Sequence, residues 1–261
     1  YYNSQGIDDA KAQSYAVDSA RDINVLRHIL GFTDNPPVWQ TPNNIHLIIP
    51  ALLLGEWNEE WQDDKELVKL ISGKEYANFI ELINPLLFVD EAPLIRIGNI
   101  WKVKSPFELM SQLINYITQP QLEKFGEVVE WVLQDDDPDA EEKMNADRLF
   151  WWQNKQAFSG NIKEGVFQGL TLLAIVQGRI LKSTEWVDNL IGNKLKEFDL
   201  KRYLTHRHNL RWLAEASPYS FVKFIQNDIK NGSVLLSQLM EVKHKKYSII
   251  GSEIYYTELL F

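Results

Sequence analysis

Residues 94–103 read LIRIGNIWKV, and their pattern decides the fold. Leu94-Ile95-Arg96-Ile97 and Ile100-Trp101-Lys102-Val103 alternate as strands do, and Gly98-Asn99 between them is a hairpin turn signal. Immediately upstream the period is helical. Residues 45–57 (IHLIIPALLLGEW) form a buried apolar helix, with Pro50 either opening its main body or kinking it. Residues 63–71 (DDKELVKLI) make a short amphipathic helix with acidic residues in its first turn, where the helix dipole favours them. Ser72-Gly73 breaks it. A third helix, 75–87, sets Tyr76, Phe79, Ile80 and Ile83 on one face. Three helices followed by a hairpin is the order of a winged helix-turn-helix.

Downstream of the hairpin the period stays helical. Ser105-Pro106-Phe107-Glu108 combines an N-cap, a proline at the first helical position and a capping-box glutamate. Helices are expected over 121–133, 139–158, 163–177, 184–198, 201–216, 219–231 and 234–240, with Ser217-Pro218 as a start and Asn231-Gly232 as a stop. Three hairpin pairs begin near Gln121, Lys163 and Lys201, a spacing of about 40 residues that suits HEAT-like repeats. Upstream, residues 8–30 read as one helix closed by Gly31, and Asp34-Asn35-Pro36-Pro37 is a linker. The expected fold is all-α, with a winged-helix-like small domain carrying a β-hairpin and then a HEAT-like α-solenoid. Its segments are 1–37, a helical piece; 38–104, the winged-helix-like domain; and 105–261, the helical repeats.

Composition narrows the chemistry. The chain of 261 residues is large enough for a real core, and its nine Trp and twelve Phe point to large aromatic anchors. A formal net charge of −9 disfavours nucleic acid as a partner, because phosphate binding needs Lys and Arg to displace counterions. The absence of cysteine excludes disulfides, Cys-ligated zinc and thiol catalysis, and suits a cytoplasmic protein. The most apolar run, 165–181, is interrupted by Gln168, Gln177 and Arg179 and reads as a buried helix, not a membrane span. No secretory signal opens the chain, and 253–261 (EIYYTELLF) ends on an apolar run without a cap, so a fragment of a longer protein is expected.

Candidate sites are few. A DNA reader needs basic and amide side chains along its third helix. That helix offers Glu75, Asn78, Glu81 and Asn84, whereas the wing holds Arg96, Lys102 and Lys104 as its phosphate-capable contacts. His206-Arg207-His208 places its histidines at i and i+2, the wrong spacing for a helical metal pair, and reads as polar residues near a helix start. Asp135-Asp136-Asp137-Pro138-Asp139 with Glu141-Glu142 lacks the glycine and ligand alternation of a calcium loop and reads as a solvated helix start. Ser72-Gly73-Lys74-Glu75 has no upstream glycine and no Ser or Thr after the lysine, so it fails as a phosphate loop. Gly165, Gly169 and Gly178 fall inside a helix and suit close packing. Trp151-Trp152, adjacent on a helix, cannot both face one core, so one meets a neighbouring helix and the other is a candidate partner contact, the alternative being burial in the interhelical seam; Trp57 and Trp61 are a second unusual pair.

Three strings carry a family resemblance: residues 19–27 (SARDINVLR), 52–57 (LLLGEW), and Asp90-Glu91-Ala92-Pro93-Leu94 through Ser105-Pro106. Over roughly the first 110 residues the chain resembles a stretch of the large bacterial STAND-type NTPases, including the antiviral Avs-like proteins. The resemblance implies an ATPase core upstream, the end of its lid in residues 1–37, a winged helix, and a helical superhelix that senses a partner. It implies a role in signalling and anti-phage defence, with homo-oligomers of the whole protein and ATP with Mg²⁺ in the upstream core; no cofactor and no catalytic residue are expected in this chain. Arg21 and Arg27 become candidate contacts to nucleotide or to an adjacent subunit, and equally suit plain surface charges. The function expected is a non-catalytic regulatory and protein-interaction region whose protein partner sits on the solenoid surface. The alternative is a DNA-binding winged-helix regulator with a helical effector domain.

Overall fold

A computed structural model of the chain describes residues 9–19, 23–30, 36–140, 156–176, 182–232, 235, 237 and 238. The described residues are mostly helical, with one small three-stranded antiparallel sheet. Two short helices come first, α1 (Asp9–Asp18) and α2 (Ile23–Ile29), where one continuous helix over 8–30 was expected. Helix α1 stops at Asp18, and the Ser19 hydroxyl turns back to donate to the Ala16 carbonyl.

Helix α3 (Pro42–Leu54) starts at Thr41, whose hydroxyl accepts from the Asn44 N–H at 3.3 Å, and Pro42 occupies the first turn, where its missing N–H does no harm. Pro50 lies inside the helix, so it does not open it. The helix ends three residues earlier than expected. Gly55 takes a positive φ of 69° and turns the chain into strand β1 (Glu56–Asn58). Helices α4 (Gln62–Ser72) and α5 (Tyr76–Ile83) follow, separated by Gly73 in the left-handed region. Pro85 then converts residues 84–87 into a single 3₁₀ turn.

Strands β2 (Leu94–Ile97) and β3 (Ile100–Val103) form the expected hairpin, with Gly98 at φ 60°. Strand β3 also pairs with β1, giving the order β1-β3-β2. Trp57 sits opposite Trp101 in that register, and their rings stack in parallel with centroids 5.8 Å apart. Both are fully buried. A stacked pair across a strand contact holds register because a slip of one residue would turn the ring of the slipped strand to the other face and break the stack.

The remaining helices are α6 (Pro106–Leu113), α7 (Gln119–Gln134), α8 (Gly160–Ile175), α9 (Ser183–Lys194), α10 (Leu200–His206), α11 (Leu210–Ala216) and α12 (Pro218–Lys230). Helix α6 begins where expected, but Ser105 does not cap it and its hydroxyl has no hydrogen-bond partner among the described residues; the capping box belongs to Thr118 and Gln121 at the start of α7. The helix expected over 201–216 breaks into α10 and α11 around a 3₁₀ turn at Arg207–Asn209. Of the helix expected over 139–158, residues 141–155 lie outside the described residues, and Ala157 and Phe158 are not helical because the Asp135 carboxylate takes their N–H groups.

Helix α8 organises the molecule. It packs against α3, β1, α6, α7, α9 and α11, and it is buried on nearly every side, as an internal helix must be when apolar residues surround it. One continuous cluster of buried apolar side chains runs from Trp39 to Leu235.

Candidate functional site

The contact between α8 and the sheet-bearing unit is set by glycine. A Cβ at Gly165 would lie 2.1 Å from the Leu54 carbonyl oxygen and 2.5 Å from the Glu56 nitrogen; one at Gly169 would lie 2.4 Å from the Leu53 oxygen. Backbone therefore meets backbone along the end of α3 and the start of β1. The sequence expectation that these glycines serve close packing describes this contact; Gly178 lies outside the described residues.

Polar groups fasten the rim of the same seam. The fully buried Asp64 of α4 accepts the Asn58 N–H of β1 at 2.9 Å, the Ser159 N–H at 3.0 Å and the Ser159 hydroxyl at 2.6 Å. Ser159 is in turn the N-cap of α8, accepting the Ile162 N–H at 3.2 Å. One carboxylate thus ties a strand, a helix and a helix start together. Loss of water raises the Asp64 pKa above the usual carboxylate value, against the lowering effect of the Ser159 and Asn58 hydrogen bonds. At the edge, Asn161 donates to Glu56 at 2.7 Å, and Lys102 pairs with the other Glu56 oxygen at 2.6 Å.

A second buried cluster lies on the far side of the α8 start. Lys163 Nζ stands 2.7 Å from Asp135 Oδ2, with side-chain exposures of only 4% and 8%, so this is an interior ion pair. Asp135 also accepts from Ala157 N at 2.8 Å and Phe158 N at 3.0 Å. Burial lowers the Lys163 pKa, and the neighbouring carboxylate resists that shift. His206 is fully buried, edge-on to Phe167, with Nε2 3.2 Å from the Leu133 carbonyl oxygen. Because a carbonyl only accepts, Nε2 carries the proton, and Nδ1 has no hydrogen-bond partner among the described residues. Burial, followed by the positive charge of Lys163, pushes the His206 pKa down to about 4.

These positions correct two expectations. Asp135 is not part of a solvated helix start but a buried cap beyond the end of α7. His206 ends a short helix inside the core, away from any surface. Among the described residues no group of three or more His, Asp or Glu side chains stands where it could hold a metal ion.

The wing residues are committed to neighbours. Arg96 pairs with Glu59, donates to the Gly98 carbonyl at 3.2 Å and lies 5.3 Å over the Trp101 ring. Lys102 is held by Glu56, and the Lys104 N–H closes the base of the hairpin on the Pro93 oxygen at 3.0 Å. Helix α5 exposes Ala77, Asn78, Glu81 and Leu82 and carries no cation. Arg27 is exposed on α2, and Arg21, Trp151, Trp152 and His244 lie outside the described residues. No described helix is long and apolar enough to cross a membrane.

Asp64, Ser159, Lys163 and Glu56 were not legible as a set, since they come from segments far apart in the chain. The local signal that points to the place, Ser159-Gly160 as a cap ahead of a glycine-spaced apolar run, is absent from the expectation above, which starts that helix at 163. Comparison with known protein families, curated proteins and solved structures finds no match.

Proposed function

We propose that the chain is a non-catalytic regulatory and protein-interaction region of a larger STAND-type signalling ATPase, sensing a protein partner and coupling it to the ATPase core. The element order α3-β1-α4-α5-β2-β3, with the sheet order β1-β3-β2, supports a winged-helix unit. The helices from α6 onward supply the layer that a HEAT-like stack would use to meet a partner. In this proposal ATP, Mg²⁺ and homo-oligomerisation belong to the whole protein, anti-phage defence is its setting, and the cytoplasm is its location.

The observation that carries the proposal is the seam at α8. Coupling by rigid-body movement requires that a push on one unit reach the other without slippage. Backbone contact at Gly165 and Gly169, locked at the rim by Asp64 and Ser159, leaves α8 and the sheet-bearing unit no freedom to slide. The paired state of Arg96 and Lys102 and the uncharged-to-acidic face of α5 weigh against DNA as the ligand.

Two assays test it. The purified chain is expected to leave ATP with Mg²⁺ unhydrolysed and to bind random-sequence duplex DNA no better than an acidic control protein at low salt. Enzyme-like turnover, or DNA affinity that falls steeply with salt and disappears with Arg96→Ala and Lys102→Ala, would overturn the proposal. The coding sequence ahead of Tyr1 is expected to specify a glycine-rich phosphate-binding loop followed by Lys and Ser or Thr. Its absence there removes the ATPase from the proposal.

A further inference from the structure

Asn231-Gly232 closes α12, and it is the one place in the chain where glycine follows asparagine. The pair has a chemistry of its own. An asparagine side chain carries an electrophilic amide carbon close to the backbone nitrogen of the next residue. Glycine, without a Cβ, leaves that nitrogen uncrowded, whereas every other asparagine here is followed by a residue with a side chain. Asn231 and Gly232 are both exposed, so water reaches them.

The folded turn holds the two reacting atoms apart. Asn231 sits at ψ 15°, which turns the Gly232 nitrogen away from the Asn231 side chain. The Gly232 N–H donates to the Ile229 carbonyl at 3.2 Å, and the Asn231 N–H reaches the carbonyls of Asn227 at 3.0 Å and Asp228 at 3.1 Å. Attack therefore needs the last turn of α12 to open. Helix ends open at far lower cost than the whole fold. Among the described residues nothing stands within 4 Å of where a Gly232 Cβ would lie, so no neighbour buttresses this end.

We infer that Asn231 is a site of spontaneous deamidation, gated by opening of the α12 end, and that its product undoes the turn that delivers Leu235 to the core. The Gly232 nitrogen gives up its proton and bonds to Asn231 Cγ. The Cγ–Nδ2 bond breaks, and ammonia leaves with that proton. Water then opens the cyclic imide at either carbonyl, giving aspartate or isoaspartate, with no change of oxidation state.

Both products act against the local structure. Each places a carboxylate at a helix C-terminus, where the dipole is already negative, and one turn from Asp228. Asp228 is the group that accepts the Leu235 N–H at 2.9 Å, and Leu235 is buried. Isoaspartate also adds a methylene to the backbone, so the turn through Gly232, at φ 93°, no longer closes with the same reach.

The test is incubation of the full chain at neutral pH and 37 °C, folded and in guanidinium, followed by peptide mapping with mass spectrometry. Conversion of amide to acid is expected at Asn231 ahead of every other asparagine. In the folded chain its rate should lie at least about tenfold below the unfolded rate, which corresponds to about 1.4 kcal/mol for opening the turn. Amide hydrogen exchange at Leu235 should quicken in the isoaspartyl fraction separated by ion exchange. Asn231→Gln, incubated alongside, should keep both its mass and its Leu235 protection. Equal rates in the folded and unfolded chain, faster conversion at another asparagine, or Leu235 exchange that is unchanged in the isoaspartyl fraction or quickens equally in aged Asn231→Gln would each overturn the inference.

Discussion

At the residue scale, Asp64 and His206 carry the sharpest consequences. Asp64→Ala leaves the buried Asn58 and Ser159 N–H groups without acceptors, and a loss of about 3 kcal/mol is expected in urea unfolding. Asp64→Asn keeps one acceptor oxygen and should lose less. His206 stays neutral in the fold down to about pH 4, whereas the unfolded chain protonates it near 6.5. Between those values the unfolded chain holds more protons, so stability falls as pH falls through that window, by about 3 kcal/mol from this group. Asp64 acts in the opposite sense, because its raised pKa lets the fold keep a proton that the unfolded chain has released. Denaturant midpoints measured across pH 4 to 6.5 should therefore slope downward toward acid, and His206→Leu should flatten the slope. A slope identical in the two proteins would show that the ring is not shielded as the structure has it. The sequence draws attention to His206 only as one of a mis-spaced pair and gives no sign of its burial. Asp64, beside Asp63 in a helical first turn, reads as a dipole partner, and its buried role depends on Ser159, a partner 95 residues away.

At the scale of elements, α8 is read best through its glycines. Alanine inside a helix ordinarily stabilises by about 1 kcal/mol over glycine. Gly160, with nothing within 4 Å of an added Cβ, should follow that rule or come close to it. Gly165→Ala should reverse the sign and lose about 3 kcal/mol or more, because Leu54 and Glu56 present backbone that cannot step aside. Thermal unfolding of the two variants compares them directly; equal effects would mean that the seam is loose. Helix existence was largely legible from apolar spacing, and the β2–β3 hairpin from Gly98-Asn99. Strand β1 was not. Glu56-Trp57 follows an apolar run without a change of period, and only the positive φ at Gly55, which a sequence does not announce, ends α3 there. The break between α10 and α11 escaped for a related reason: the continuous apolar pattern persists, while the buried His206 bonded to Leu133 sets where the helix turns.

At the scale of the molecule, the continuity of the core from Trp39 to Leu235 implies joint unfolding of sheet and helices. Tryptophan fluorescence, which reports on all nine tryptophans with Trp57 and Trp101 among them, and far-UV circular dichroism are expected to trace a single coincident urea transition. Two separated midpoints would show that α8 does not bind the parts into one cooperative unit. The sequence order of the contacts at α8 has a consequence for synthesis in the cell. Helix α3 presents a run of buried residues from Ile48 to Leu54, and the last part of its cover arrives with α8, whose Asn161 meets Glu56 across 105 positions of chain. At ribosomal speeds that interval lasts roughly 5 to 20 s. During it the side of α3 that α8 will cover stays open even after α4, α5 and α6 have packed on the rest, so the yield of native protein should depend on a holding chaperone more than the stability of the finished molecule would suggest.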